Sequence, residues 1–157
     1  MMFIRKFIAT GAGVGYFPLA PGTMGSLAGW LIALGIKQSS YNADSLLVVL
    51  ILIFTFLGVW ASGGLEHLWG KDPKQIVIDE IVGVWIALFH LHQGWLSVTM
   101  AFILFRLFDI YKPLFISQAE KLKGGWGIMA DDALAGIYAN LMIQLTYLIQ
   151  PYIMWHN

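Results

Sequence analysis

Arg106, Asp109 and Lys112 stand three residues apart at the end of an otherwise apolar segment, Trp95 to Phe105, and Pro113 follows them directly. On a helix these three side chains form one polar stripe of mutually neutralising neighbours, and the proline marks where that helix should stop. Ionisable groups in a lipid-embedded helix are costly and are tolerated where they face protein or a wet cavity. The stripe therefore reads either as part of a functional site or as an ion pair that ties helices together. Two more acidic pairs raise the same question. Asp79 and Glu80 are adjacent inside the apolar pattern Ile76 to Phe89, about 100° apart on a helix and so able to flank one cation. Asp131 and Asp132 open the last apolar segment, where first-turn acids favoured by the helix dipole are the alternative to a site role.

Together Asp79, Glu80, Asp109, Asp131 and Asp132 offer oxygen ligands in a chain without cysteine, with Arg106 and Lys112 as the strong cations beside them. Such a set suits a hard divalent ion, and Mg²⁺ is the expected one. Mg²⁺ commonly takes one or two carboxylates and completes its shell with phosphate oxygens and water, so a phosphorylated substrate is implied. Arg106 and Lys112 suit that phosphate, as do free N–H groups at the start of the helix that follows Pro21-Gly22-Thr23, with Thr23 or Ser26 as its cap. An ordinary capped helix behind a glycine-rich turn is the equally open reading of that segment. Phosphate-ester hydrolysis is the leading reaction type, and residue types alone do not decide between attack by an aspartate and attack by water.

The elements that must position these groups are hydrophobic. With 157 residues, 59% hydrophobic and 11% charged content and a mean hydropathy of +0.73, the chain reads as a single membrane-embedded domain, all-α and polytopic. A formal net charge of zero leaves no basic surface for nucleic acid, and the absence of cysteine excludes disulfides, zinc-thiolate sites and thiolate nucleophiles. Glycines and Pro18 interrupt what would be the apolar core of a signal peptide, so residues 1–20 are expected to be retained.

Residues 9–26 carry too much glycine and proline for a regular element and read as a tight loop; the spacing of Gly11, Gly13 and Gly15 does not fit a dinucleotide fingerprint. Apolar helices are expected over roughly 22–36, 45–66, 76–91, 95–113 and 131–150, with a polar turn from Lys37 to Asp44, a hairpin turn from His90 to Gly94 and a mobile-looking loop from Lys121 to Gly127. The first and third are short for full spans, so four or five crossings are open. Folding the third and fourth about the turn puts Glu80 and Arg106 roughly 18 and 20 Å from it at ~1.5 Å per residue, hence at one depth. Placing the first loop in the cytoplasm puts Arg5, Lys6, Lys71, Lys74, Arg106, Lys112, Lys121 and Lys123 toward that side and only Lys37 opposite, as the positive-inside rule prefers. The four polar clusters then converge at one leaflet. His90-x-His92 lies at the other end of the hairpin and reads as interfacial rather than as a metal pair, and Glu66 with His67 reads as interface polarity closing a span.

Four motifs in order carry a resemblance: Gly13-x-Gly15-x-x-Pro18-x-Ala20-Pro21-Gly22-Thr23-x-Gly25-Ser26, Ile76-Val77-x-Asp79-Glu80-x-Val82-Gly83, Phe105-Arg106-x-x-Asp109-x-x-Lys112-Pro113, and Gly127-Ile128-Met129-x-Asp131-Asp132-x-x-Ala135-Gly136. Nearly the whole chain thus resembles the phosphatidylglycerophosphatase A family. The resemblance implies a multi-pass enzyme of the bacterial inner membrane, its active site facing the cytoplasm, that hydrolyses phosphatidylglycerophosphate to phosphatidylglycerol and inorganic phosphate with Mg²⁺, in glycerophospholipid biosynthesis. Asp79, Glu80, Asp131 and Asp132 are then expected as metal ligands, Arg106 and Lys112 on the phosphate with Thr23 and Ser26, and Asp109 either orienting Arg106 or acting as base. Where the family pattern reads Lys-Pro-x-Pro, this chain has Lys112-Pro113-Leu114-Phe115, which alters the loop behind the charges and not the charges. The alternatives from other classes are an ion- or proton-coupled transporter, which calls for polar residues across the bilayer where residues 45–65 and the last helix are nearly bare, and a non-enzymatic membrane scaffold.

Overall fold

The computed structural model describes residues 1–70, 73–91 and 94–154, with side chains as far as Ile149. Helices α1 (Met2–Ala9), α2 (Pro21–Ser39), α3 (Ala43–Gly63), α4 (Glu66–Trp69), α5 (Ile78–Leu88), α6 (Trp95–Tyr111), α7 (Ile116–Ala119) and α8 (Gly125–Met154) follow in order, with a 3-10 turn at Val14–Tyr16 and no strand among the described residues. The five expected apolar helices correspond to α2, α3, α5, α6 and α8.

Their limits differ from the expected ones where tertiary contacts override local sequence. Residues Lys37 to Ser39 belong to α2, not to a turn. The Lys37 ammonium is buried there, 3.3 Å from both Asp44 Oδ1 and the Leu91 carbonyl, which lets a cation remain on an inward helix face. More consequentially, α8 starts at Gly125 rather than at Asp131. Gly125 lies flush against the α3 backbone, where a Cβ would stand 2.8 Å from Val59 Cα; the end of the expected loop, Gly125 to Gly127, is already helix, while Lys121 to Gly124 form the loop. The same helix runs past the expected limit at residue 150, through Pro151, to Met154; in a last turn a proline forfeits little more than one backbone bond. Neither α1 nor the short α4 and α7 was anticipated. One side of α1 exposes Phe3, Ile4 and Phe7, while on its other side Arg5 sits over the Trp60 ring and Lys6 over Trp69. The end of α1 is fastened to the start of α5 by the Val77 N–H, which donates to the Ala9 carbonyl at 2.9 Å.

α5 is the centre of the bundle. Nearly all its residues are buried, and α2, α3, α6 and α8 pack around it. At 11 residues it is ~16 Å long, about half a bilayer core, so its surroundings and not its length hold it in place. Small residues permit the close approach. A Cβ on Gly29 of α2 would stand 2.9 Å from Ile81 Cα, and one on Gly83 would stand 2.8 Å from the Asp132 carbonyl of α8. Polar clips finish the fit: Trp85 Nε1 donates to the Gly29 carbonyl at 2.9 Å, and Asn140 Nδ2 of α8 donates to the Ala87 and Phe89 carbonyls that end α5. Two helices, Ala43–Gly63 and the Gly125–Ile149 portion of α8, are long and apolar enough to cross a membrane.

Candidate active site

Asp79 and Glu80 occupy the first turn of α5, where helix polarity favours acids, and the glycine contact between α5 and α8 brings Asp132 alongside them. Ligand oxygens of Asp79, Glu80 and Asp132 lie within 4.8 Å of one another. Asp79 and Asp132 are buried, and Glu80 is partly so. Asp79 Oδ1 and Glu80 Oε2 are shut away from solvent without a hydrogen-bond partner. Three carboxylates at this spacing repel one another, and buried lone pairs without donors are costly; a cation among them would relieve both. The donors are all oxygen, so the residues fit a hard divalent ion of the Mg²⁺ kind. Asp109 approaches the same cluster from α6, within hydrogen-bond reach of Asp132.

Arg106 stands over this group. Its Nη1 donates to Asp109 Oδ2 and, at 3.1 Å, to Ser26 Oγ, while Nη2 donates to Thr23 Oγ1 at 3.3 Å. Thr23 and Ser26 thus reach the site, though not as helix caps. α2 begins at Pro21 behind Ala20, with no side-chain cap, and Ser26 Oγ donates to the Gly22 carbonyl at 2.8 Å. Proline at the first helical position suits a helix start, because it lacks one of the N–H groups that would be left without a partner there. Gly22 leaves room for the Glu80 carboxylate: a methyl group there would displace Glu80 Oε1 from its present position and stand 3.8 Å from Arg106 Nη1. Glu80 and Arg106 do meet at one level, as the hairpin geometry implied.

Lys112 follows α6 in the left-handed region, φ 44°, and its ammonium lies 2.7 Å from Asp131 Oδ2 and 3.3 Å from Glu120 Oε2. Burial works against its charge, but the Asp131 hydrogen bond and the charges of Asp131 and Glu120 outweigh burial and hold the lysine above its ordinary value. Asp131 and Asp132 lie well inside α8, so a first-turn capping role does not apply to either. Asp131 turns to Lys112 while Asp132 turns to Asp79 and Glu80. Glu120 was not among the sequence candidates; it lies in the loop after α7, where no periodicity marks it. Glu66 lines a small cleft with Glu120 and Asp131. At the opposite end of the bundle the exposed His90 pairs with Asp44, Nδ1 to Oδ2 at 3.0 Å, far from the carboxylates; His92 lies outside the described residues.

The family model for phosphatidylglycerophosphatase A matches residues 7–147, a stretch that contains every one of these groups. The chain belongs to the phosphatidylglycerophosphatase A family. It is a phosphatase. The chain is 44% identical over 147 residues to a Bacteroides thetaiotaomicron protein named provisionally as a phosphatidylinositol-3-phosphatase, a match covering 90% of this chain and 92% of that one. It is 40% identical to phosphatidylglycerophosphatase A of Haemophilus influenzae, covering 87% and 84% of the two chains, and 34% identical to phosphatidylglycerophosphatase A of Escherichia coli, covering 83% and 76%. No solved structure matches it.

Proposed function

We propose that this member of the family hydrolyses phosphatidylglycerophosphate to phosphatidylglycerol and inorganic phosphate at the inner membrane of a bacterium, as a step of glycerophospholipid synthesis, with Mg²⁺ held by Asp79, Glu80 and Asp132. The observation that carries the reading is the gathering of those three carboxylates next to Arg106, two of their oxygens being buried without a partner, with Lys112 held by the neighbouring Asp131. The names of the Haemophilus and Escherichia relatives supply the lipid.

When bound, the divalent ion supplies Lewis-acid polarisation of the phosphoryl group and offsets its charge. The protein supplies positioning. Arg106, fixed by Asp109, Ser26 and Thr23, presents remaining N–H groups to two phosphate oxygens, and Lys112 offers a further donor from the other side. Asp109 is committed to Arg106 and serves as its orienting partner. Asp131 Oδ2 accepts from Lys112 in the same way, and Asp79, Glu80 and Asp132 are the acids whose oxygens lie together to hold the ion. Water adds to phosphorus as the bond to the glycerol oxygen breaks, and that oxygen takes up a proton.

With α3 and the Gly125–Ile149 portion of α8 as crossings and α2, α5 and α6 packed between them, the site lies at one end of the bundle, where a lipid headgroup is found; the excess of Lys and Arg there favours the cytoplasmic leaflet. The Bacteroides relative carries the name of a phosphoinositide enzyme, so the test compares substrates. Purified protein in detergent micelles should release inorganic phosphate from phosphatidylglycerophosphate with a kcat/KM at least ~10-fold above that for phosphatidylinositol 3-phosphate, about 1.4 kcal/mol of discrimination. The reverse preference would overturn the substrate assignment.

A further inference from the structure

We infer that Glu120 is a positioning residue for Lys112, holding its ammonium between two carboxylates so that one donor faces the phosphate site. This rests on the phosphate-binding reading of Lys112 given above. The two partners come from different elements: Asp131 from within α8, 2.7 Å from Nζ, and Glu120 from the end of the α7 turn, 3.3 Å away. They are unequal in exposure. The Asp131 side chain is 8% accessible and that of Glu120 38%, so Asp131 forms the inner wall and Glu120 the outer.

Lys112 needs such a hold for two reasons. It sits at φ 44°, a conformation uncommon for a residue with a side chain, directly before Pro113, and Leu114 is left-handed as well at φ 55°. A long, flexible lysine on a turn of this kind would otherwise sample many rotamers and lose side-chain entropy on meeting a ligand. An ammonium has three donors. One is donated to Asp131, the ion pair with Glu120 holds the ammonium from the other side, and a donor is left for a phosphate oxygen. The α7 turn acts as a strut: Ile116 and Ala119 are buried, so the segment that carries Glu120 is anchored by packing.

The experiment combines two readouts on the full chain. In Glu120→Gln, Lys112 should react with an amine-directed succinimidyl ester severalfold faster than in wild type, read by mass spectrometry of the labelled peptide, while Lys121 and Lys123 react as before. For phosphatidylglycerophosphate the same variant should raise KM about two- to fivefold with kcat nearly unchanged, the size expected of a partly exposed pair. Glu120→Asp should recover part of the loss, and adding Glu120→Gln to Lys112→Ala should change nothing further. Equal labelling of Lys112 in wild type and Glu120→Gln overturns the inference, as does an additive effect in the double variant. If labelling changes as stated but wild type releases no phosphate from the lipid, the substrate assignment fails and the positioning stands.

Discussion

Gly136 of α8 lies directly on Gly83 of α5: a Cβ on Gly136 would run into the Gly83 carbonyl group, with its carbon at 3.1 Å and Ile86 Cβ at 3.1 Å behind it. This contact sets the distance between the helix that carries Asp79 and Glu80 and the one that carries Asp132. Gly136→Ala should cost ~1–3 kcal/mol of stability, because the obstacle is backbone and cannot turn aside. It should also lower kcat/KM more than tenfold in protein that still folds, since the carboxylates move apart. Thermal unfolding in detergent and phosphate release, measured on one preparation, check both parts; unchanged activity would show that this crossing does not set the site.

Neutralising a member of the acidic group separates a metal-site role from a structural one. Glu80→Gln or Asp132→Asn should reduce kcat/KM by ~10²-fold or more. In chelator the same variants should unfold no lower than wild type, because each removes like-charge repulsion. Added Mg²⁺ should raise the wild-type Tm and leave that of the variants largely unmoved, by mass action on the native state alone. A Tm that falls equally with and without the ion would instead mark these acids as structural.

Arg106 bonds Asp109, Ser26 and Thr23 from two nitrogens of one guanidinium and keeps further N–H groups for a phosphate, whereas three bonds of this kind would exhaust the three donors of an ammonium. Arg106→Lys should therefore lower kcat/KM ~10- to 100-fold despite keeping the charge, whereas Thr23→Val, at the longest of the three bonds, should cost less than tenfold. Steady-state kinetics on both variants decide it. A fully active Arg106→Lys would mean that charge alone suffices there.

The opposite end of the bundle supplies the contrast. His90 is exposed, pairs with Asp44 and tilts against the Phe89 ring, so His90→Ala should leave activity at the wild-type level and alter stability by no more than ~0.5 kcal/mol. A large loss of turnover would require coupling between the two ends.

Much of this site was legible in the sequence because its charges stand out against an apolar background. The three-residue spacing of Arg106, Asp109 and Lys112, and the equal distance of Glu80 and Arg106 from a hairpin turn, are one-dimensional facts that survive folding. Other features depend on neighbours far along the chain. The start of α8 was hidden because Gly125 becomes helical only by lying on Val59, and local preference at Lys121 to Gly127 pointed to a loop. Thr23 and Ser26 stand beside Arg106 for a reason local sequence does not show: they accept from its guanidinium and do not cap α2. Asp131 and Asp132 look equivalent in sequence, but adjacent helix positions point about 100° apart, and only the packing shows which one turns to Lys112. Glu120 carried no signal at all, since its partner is reached across an irregular turn.

The central claim is that the acids at the α5–α8 crossing hold a divalent ion for hydrolysis of a lipid phosphomonoester. The most direct measurement is inorganic phosphate release from phosphatidylglycerophosphate by purified protein, first in chelator and then on titration with Mg²⁺. No release above the buffer blank is expected in chelator, with saturable recovery on adding Mg²⁺ and no recovery in Asp79→Asn. Release at the full rate in chelator, or from Asp79→Asn, would contradict the claim.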